Sequence, residues 1–469
     1  MNFTSPAFFA FLPAVLLGYH ALRSRTAKYR LLLVASWLFY VSWNPWYLWV
    51  LLGPTVVDYW SGLLIDGAKT QSRRKLWLLA SLVANLGLLA GFKYTRFAVE
   101  NACGVFGWTV PPWASRIILP LGISFHTFQG ISYTLDVYRR KLPVVRSFTD
   151  FALFVAFFPQ LVAGPIVRAV EFLPQMATPP RPAPEQITDG LHLFVRGLFK
   201  KVFIADRLAQ FVDMVFANPA AFDPAAHRWA ILAYAGQIYC DFSGYSDLAI
   251  GCAKWFGFEL PENFNLPYLA SSIADFWRRW HMTLSRWMRD YLYISLGGSR
   301  AGEGRTYGNL ILTMTLCGLW HGASWNYVLW GFYNGVLLAG HRIYDRSLTG
   351  RPWADAMRGG VGYRLFAHAA TLLQVFIGYV FVRSQNWHDC WRIQASLCGG
   401  IALGSAMVPV WVPALVGIVA IGHLYGGWRE ARGTFEWPAP VRGWAYAMAV
   451  AAVVVLGPGV GKAFIYFQF

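Results

Sequence analysis

Two histidines in apolar surroundings are the residues of this chain best suited to chemistry. His321 sits near the middle of the apolar segment 310–331, LILTMTLCGLWHGASWNYVLWG. Cys317 stands one turn before it, Ser324 one turn after, and Trp320, Trp325 and Asn326 are close by. An ionisable side chain inside a membrane span is costly, so its presence points to a functional site. An imidazole titrates near neutral pH and can take a proton from an attacking hydroxyl. A histidine satisfied by hydrogen bonds between packed helices gives the same local pattern. The sequence holds no G-x-S-x-G nucleophile elbow, and neither HExxH nor H-x-x-E-H spacing, so neither a serine triad nor a metal centre is predicted.

His281 belongs to a different kind of segment, DFWRRWHMTLSRWMRDYLYISL at 275–296. On a helical wheel Phe276, Trp277, Trp280, Leu284, Trp287, Met288 and Tyr291 fill an arc of roughly 120°. Arg278, Arg279, Arg286 and Arg289 lie opposite, with Asp275 and Asp290. The pattern predicts a cationic amphipathic helix lying in the membrane interface or lining the mouth of a polar cavity, with His281 at the border of its apolar stripe. The glycine- and arginine-rich stretch 296–305 follows, where Arg300 and Arg305 flank Gly302 and Gly304. Its backbone could cradle a phosphate, or it could be an ordinary flexible loop.

Other polar residues punctuate apolar stretches. His126 and Gln129 fall in LGISFHTFQ (121–129), and FPQLVAGP (158–165) brings Pro and Gly to membrane depth. Such residues predict broken or re-entrant helices whose freed backbone groups are satisfied by protein or water. Asp241, Ser243 and Asp247 surround Gly244 within the apolar stretch 229–256, which predicts a helix break facing a cavity. A buried polar network of purely structural value accounts for that cluster equally well.

The elements that position these residues are membrane helices. The 469 residues are 56% hydrophobic, 17% aromatic and only 13% charged, and the mean hydropathy is +0.40; soluble domains carry about a quarter charged residues. Segments 3–22, 46–65, 76–94 and 444–456 have or approach the roughly 20 residues that span a bilayer. No polar segment is long enough for a separate soluble domain. The 23 Trp and 23 Tyr suit interfacial belts.

The net charge of +17 resides largely in short loops such as 23–30 and 73–75. This is the positive-inside pattern and does not indicate nucleic acid binding. It places both loops in the cytoplasm and the uncharged amino terminus outside, with a turn at Asn44–Pro45 and Arg139, Arg140 and Lys141 inside again. Segment 3–22 lacks a basic leader region and a small-residue cleavage site, so it is expected to be retained as the first span. The six cysteines show no C-x-x-C spacing and read as small core residues. Proline-bearing linkers are expected at 178–184 and 426–441.

Taken together, these segments resemble the membrane-bound O-acyltransferase family, in the bacterial branch that includes alginate O-acetylation and teichoic-acid D-alanylation proteins. The resemblance is carried by LPLGISFHTFQGISYTLDVYR (119–139), FFPQLVAGPIVR (157–168) and YCDFSGYSDLAIG (239–251). It continues through 262–300, LCGLWHGASWNYVLWG (316–331), Phe381-Val-Arg383 and the terminal FIYFQF (464–469). The order and number of these matches make the signal far stronger than any single motif.

The resemblance implies an all-α, polytopic helical bundle whose broken helices surround a central channel. It implies His321 as the catalytic base and His281 as the second characteristic position. Asp241, Ser243, Asp247, Cys317, Asn326, Trp320, His126 and Gln129 are then candidates for the substrate path. Arg278, Arg279, Arg300 and Arg305 are candidates for donor phosphates. The expected reaction passes acetyl from a cytoplasmic thioester, acetyl-CoA, towards a hydroxyl of an exported polysaccharide such as alginate or cellulose. No bound cofactor is expected. A periplasmic acetyltransferase or esterase-like partner is implied, and the location is a bacterial inner membrane. The expected organisation is a scaffold at 1–115, a catalytic core at 116–345 and carboxy-terminal helices at 346–469. The competing expectation is a non-enzymatic transporter or a scaffold of a polysaccharide-export complex. The absence of a visible inverted repeat counts against transport.

Overall fold

A computed structural model describes residues 1–161, 164–178, 181–300, 302–399, 403–433 and 438–456. Among them there is no strand, and the helices form two compact units. One comprises Met1–Arg196 with Tyr245–Pro261, and the other Gly197–Gly244 with Glu262–Phe469. The all-α expectation holds. The terminal FIYFQF motif and parts of both proline-bearing linkers lie outside the described residues.

The first unit begins with α1 (Pro6–Ala21), α2 (Arg25–Val41), α3 (Tyr47–Gly67), α4 (Gln71–Lys93) and α5 (Thr95–Phe106). Their starts follow from local chemistry. The Ser5, Ser24 and Thr70 side chains accept hydrogen bonds from backbone N–H groups of the first turns of α1, α2 and α4. The turn expected at Asn44–Pro45 separates α2 from α3, and the Asn44 side chain accepts the Trp46 N–H at 3.0 Å. Both α3 and α4 are long and apolar enough to cross a membrane.

Next come α6 (Ile123–Tyr138), α7 (Phe148–Ala156), the short α8 (Phe158–Leu161) and α9 (Ala169–Phe172), and α10 (Pro184–Leu198). Asp58 of α3 is fully buried and accepts hydrogen bonds from Ser81 at 2.6 Å and Asn85 at 2.8 Å, both on α4. Ser81 in turn meets Thr134 of α6 at 3.0 Å. Van der Waals packing alone gives apolar helices little register in lipid, and such polar pins supply it.

In the second unit a π-helical turn (Phe199–Ala205) leads into α11 (Asp206–Ala217). The 32-residue α12 (Pro224–Trp255) follows and carries residues of both units. The helix break expected at Gly244 is absent: α12 is continuous through it. Gly244 serves close packing instead, because a Cβ there would meet the Gly197 carbonyl oxygen at 2.9 Å.

The remaining helices are α13 (Ile273–Arg279), α14 (Met282–Trp287), α15 (Glu303–His321), α16 (Trp325–Leu348) and α17 (Pro352–Gly359). They are followed by α18 (Val361–Arg383), α19 (Trp387–Cys398), α20 (Trp411–Arg432) and α21 (Ala439–Leu456). Helices α18 and α20 also have the length and apolarity of spans.

Candidate active site

The cationic segment is not the single amphipathic helix that its wheel predicts. Helix α13 ends at Arg279, His281 adopts a left-handed backbone (φ 43°, ψ 52°), and α14 starts at Met282. A π-helical turn, Met288–Tyr293, completes the segment. The wheel fails because hydrogen bonds to a distant strip of chain replace the helical ones at this point. Met282 N–H donates to the Asn263 carbonyl at 2.9 Å, and Asn265 N–H donates to the Arg279 carbonyl at 2.9 Å. The kink takes His281 away from the border of the stripe into full burial, with 0% exposure.

Asn263 governs the ring. Its Oδ1 faces His281 Nδ1 at 3.0 Å and also accepts from Thr283 N–H at 3.2 Å and Thr283 Oγ1 at 2.8 Å. An acceptor opposite Nδ1 places the proton there in the neutral ring and makes Nε2 the basic nitrogen. Phe242 of α12 packs edge-on against the imidazole at 4.5 Å between centroids.

His321 is likewise not in mid-helix: it is the last residue of α15. The apolar run 310–331 is interrupted at Gly322, and the chain turns back into α16. A Cβ on Gly322 would collide with the Tyr327 ring. Glycines also hold the two helices together at backbone distance. A Cβ on Gly331 would meet Gly318 Cα at 3.1 Å, and one on Gly335 would meet Ile311 Cα at 2.7 Å. Small residues at such crossings let main chains touch.

The His321 ring, 7% exposed, lies edge-on to Trp320 at 4.8 Å and to Trp330 at 5.3 Å. Its centroid is 6.3 Å from that of His281. Trp330 is itself backed by Trp277, whose indole N–H donates to Asn334 Oδ1 at 3.3 Å. The geometry therefore gathers two imidazoles in an aromatic cage built from α12, α13, α15 and α16.

The other candidates distribute unevenly. Trp320 touches both histidine rings, and Cys317 is buried one turn before His321. Asn326 donates its amide to the Ser384 carbonyl at 2.9 Å, a tie between the start of α16 and the end of α18. Asp241 and Ser243 are buried on α12, and Asp241 meets Lys201 Nζ at 2.5 Å. Lys201 also pairs with Asp206 at 2.8 Å. Asp247, His126 and Gln129 belong to the other unit, where Asp247 forms a two-pronged pair with Arg196 at 2.7 and 2.9 Å.

Among the arginines, Arg279 is engaged by Asp275 at 3.2 Å and by the Asn265 carbonyl at 3.4 Å, whereas Arg278, Arg300 and Arg305 are exposed. Sequence reasoning passed over Asn263 and Lys201. Asn263 stands in ENFNLP, inside one of the matching stretches, and a buried amide among aromatic residues is the signal that marks it.

The arrangement places two buried imidazoles side by side in an aromatic-lined site, residue types that can exchange protons. Residues 138–376 match the membrane-bound O-acyltransferase family, and the chain belongs to that family and is an O-acyltransferase. It is 42% identical over 409 residues to the probable alginate O-acetylase of Pseudomonas aeruginosa, covering 85% of this chain and 75% of that one. It is 38% identical over 435 residues to the peptidoglycan O-acetyltransferase of Helicobacter pylori, covering 86% and 81%. Similarity extends to the teichoic acid D-alanyltransferase of Bacillus subtilis, at 28% over 316 residues, 62% of this chain and 76% of that one. The resemblance read from the ordered motifs is thereby borne out.

Proposed function

We propose that the chain transfers acetyl from cytoplasmic acetyl-CoA to a hydroxyl acceptor on the way to an exported polysaccharide, with His321 as general base. The observation that carries this reading is the buried pairing of His321 with His281, 6.3 Å apart inside a cage of tryptophans. One acceptor hydroxyl between the rings can reach both within hydrogen-bond distance. His321 takes the hydroxyl proton as the oxygen attacks the thioester carbonyl. The C–O bond forms, the C–S bond breaks, and the proton passes to the departing thiolate. His281, with Nδ1 held by Asn263, presents Nε2 and positions the thioester or the acceptor.

Exposed Arg278, Arg300 and Arg305 supply cations for the donor's phosphates. The names of the relatives support polymers of the cell exterior as acceptors; a periplasmic acetyltransferase or esterase-like partner and an inner-membrane location complete the proposal. The similarity to acetylating relatives extends over more of this chain than that to the D-alanyl transferring one, which favours acetyl.

The test is His321→Ala in the native host, with membrane expression verified and acetyl esters on the exported polymer quantified. Acetylation is expected to fall to background while polymer secretion continues. Unchanged acetylation would overturn the base assignment, and lost secretion with normal ester content would favour a transport or scaffold role. For His281→Ala the expected result is reduced acetyl-CoA consumption in isolated membranes; undiminished consumption removes it from the site.

A further inference from the structure

The second unit carries a large groove whose lining includes neither His281 nor His321. It has a volume of about 1110 Å³ and runs between α16 and α18, with contributions from α13, α17 and α20. This is at the upper end of the size of small-molecule sites. Two hydrogen bonds fix the antiparallel register of its walls. Tyr333 donates to the Gln374 carbonyl at 3.0 Å near one end, and the Tyr344 and Tyr363 hydroxyls meet at 3.1 Å near the other. Eleven residues of helix separate these ties on each wall, about 16 Å at 1.5 Å per residue. That length equals half of a hydrocarbon core about 30 Å thick, the depth of one leaflet.

The acidic and arginine side chains of the lining gather at one end of this length. Between the two ties the walls carry Val336, Leu337, Phe366, Ala370 and Leu424, of which Val336, Phe366 and Leu424 are uncovered by protein, while the neighbouring His368 and Thr371 are engaged by the Ala270 and Ala367 carbonyls. The Tyr344 end holds His341, Asp345, Arg358 and Arg364. Arg358 is fixed there, donating to Asp345 at 3.0 Å and lying over the Tyr344 ring at 5.8 Å. Arg364 is exposed, and among the described residues no acid lies within ion-pair distance of it. The segment around this end, 341–364, contains Arg342, Arg346, Arg351, Arg358 and Arg364 against Asp345 and Asp355. Such an excess marks a cytoplasmic end, the side where bilayers present anionic lipid.

We propose that this groove is a binding site for an anionic phospholipid of the cytoplasmic leaflet. Arg364 and Arg358 hold the phosphodiester, the Tyr363 hydroxyl donates to it, and one acyl chain lies along the apolar wall. A basic pocket between membrane helices recognises anionic headgroups by this chemistry, and a guanidinium matches phosphate oxygens two at a time. The uncovered apolar residues favour a lipid over a free anion, which would use only one end of the groove.

The experiment is native mass spectrometry of the full chain in detergent, titrated with phosphatidylglycerol or with phosphatidylcholine of the same acyl chains. Wild type is expected to retain phosphatidylglycerol about tenfold more tightly, the factor that one charge-assisted hydrogen bond supplies. Arg364→Glu, and more mildly Arg364→Gln, should reduce retention to the phosphatidylcholine level, while Arg351→Glu leaves it unchanged. A photoactivatable phosphatidylglycerol should label peptides within 333–374. Equal retention of the two lipids, an unaffected Arg364→Glu, or labelling confined to other helices would overturn the site. Displacement by inorganic phosphate alone would assign the cationic end to a free anion. His321→Ala should retain the lipid as wild type does, so this result is read independently of acyl transfer.

Discussion

Asn263 and His281 form the contact on which the candidate site turns: one amide oxygen, 3.0 Å from the imidazole Nδ1, also receives both the N–H and the hydroxyl of Thr283. A single acceptor thus fixes the ring, its tautomer and the start of α14. Asn263→Ala strands three buried donors, at about 1–3 kcal/mol in lost positioning. The expected effect on acyl transfer is a roughly 10- to 100-fold fall in kcat with little change in KM. Asn263→Asp, which keeps an acceptor oxygen, should recover part of the loss. Equal rates for Asn263→Ala and wild type in reconstituted membranes would show that this contact only supports the fold.

Gly322 is extended (φ −155°, ψ 140°), a backbone that alanine adopts freely. Its constraint is steric, since a Cβ would strike the Tyr327 ring. Gly322→Ala should therefore displace His321 and lower acetylation without preventing insertion. Adding Tyr327→Ala to the same chain makes room and should restore part of the activity. A double variant no better than the single one would remove the steric account.

The Lys201, Asp206 and Asp241 cluster is almost fully buried, with 1–3% side-chain exposure. Removing one member of a buried ionic group leaves an uncompensated charge and costs about 3–5 kcal/mol. Lys201→Met should sharply reduce the yield of folded protein in fluorescence-detected size-exclusion chromatography. The triple replacement Lys201→Met, Asp206→Asn and Asp241→Asn should recover it. Normal yield from Lys201→Met alone would mean that the cluster contributes little.

At the start of α12, Asp223 accepts the Ala226 N–H at 2.7 Å and the Ser405 hydroxyl at 2.8 Å. These donors hold its carboxyl below the usual carboxylate range. A depressed folded-state pKa contributes stability above the unfolded value of about 3.9 that is lost as pH falls through the folded value. Asp223→Ala should thus lower the unfolding temperature at pH 7, and the difference from wild type should shrink below about pH 4. A difference independent of pH would contradict the sign of this linkage.

The all-α membrane class, the turn at Asn44–Pro45 and the family whose motifs include the two histidine segments were all legible in residue order. What was not legible shares one cause. The kink at His281 is created by Asn263 and Asn265, so a wheel drawn on 275–296 alone cannot contain it. Gly244 reads as a breaker in isolation, yet the neighbouring Gly197 carbonyl makes it a point of close approach within a continuous helix. His321 reads as central in an apolar run because hydropathy does not register the turn at Gly322. Local composition specified which segments enter the membrane, and long-range backbone contacts decided where the helices stop.

The main-chain contact between α15 and α16 through Gly318, Gly331 and Gly335 has an evolutionary corollary. His321, the proposed base, ends a helix anchored by atoms that every amino acid shares, so the side chains around it are released from holding it. Acceptor preference can then diversify by substitution of the surrounding wall while His321 keeps its address.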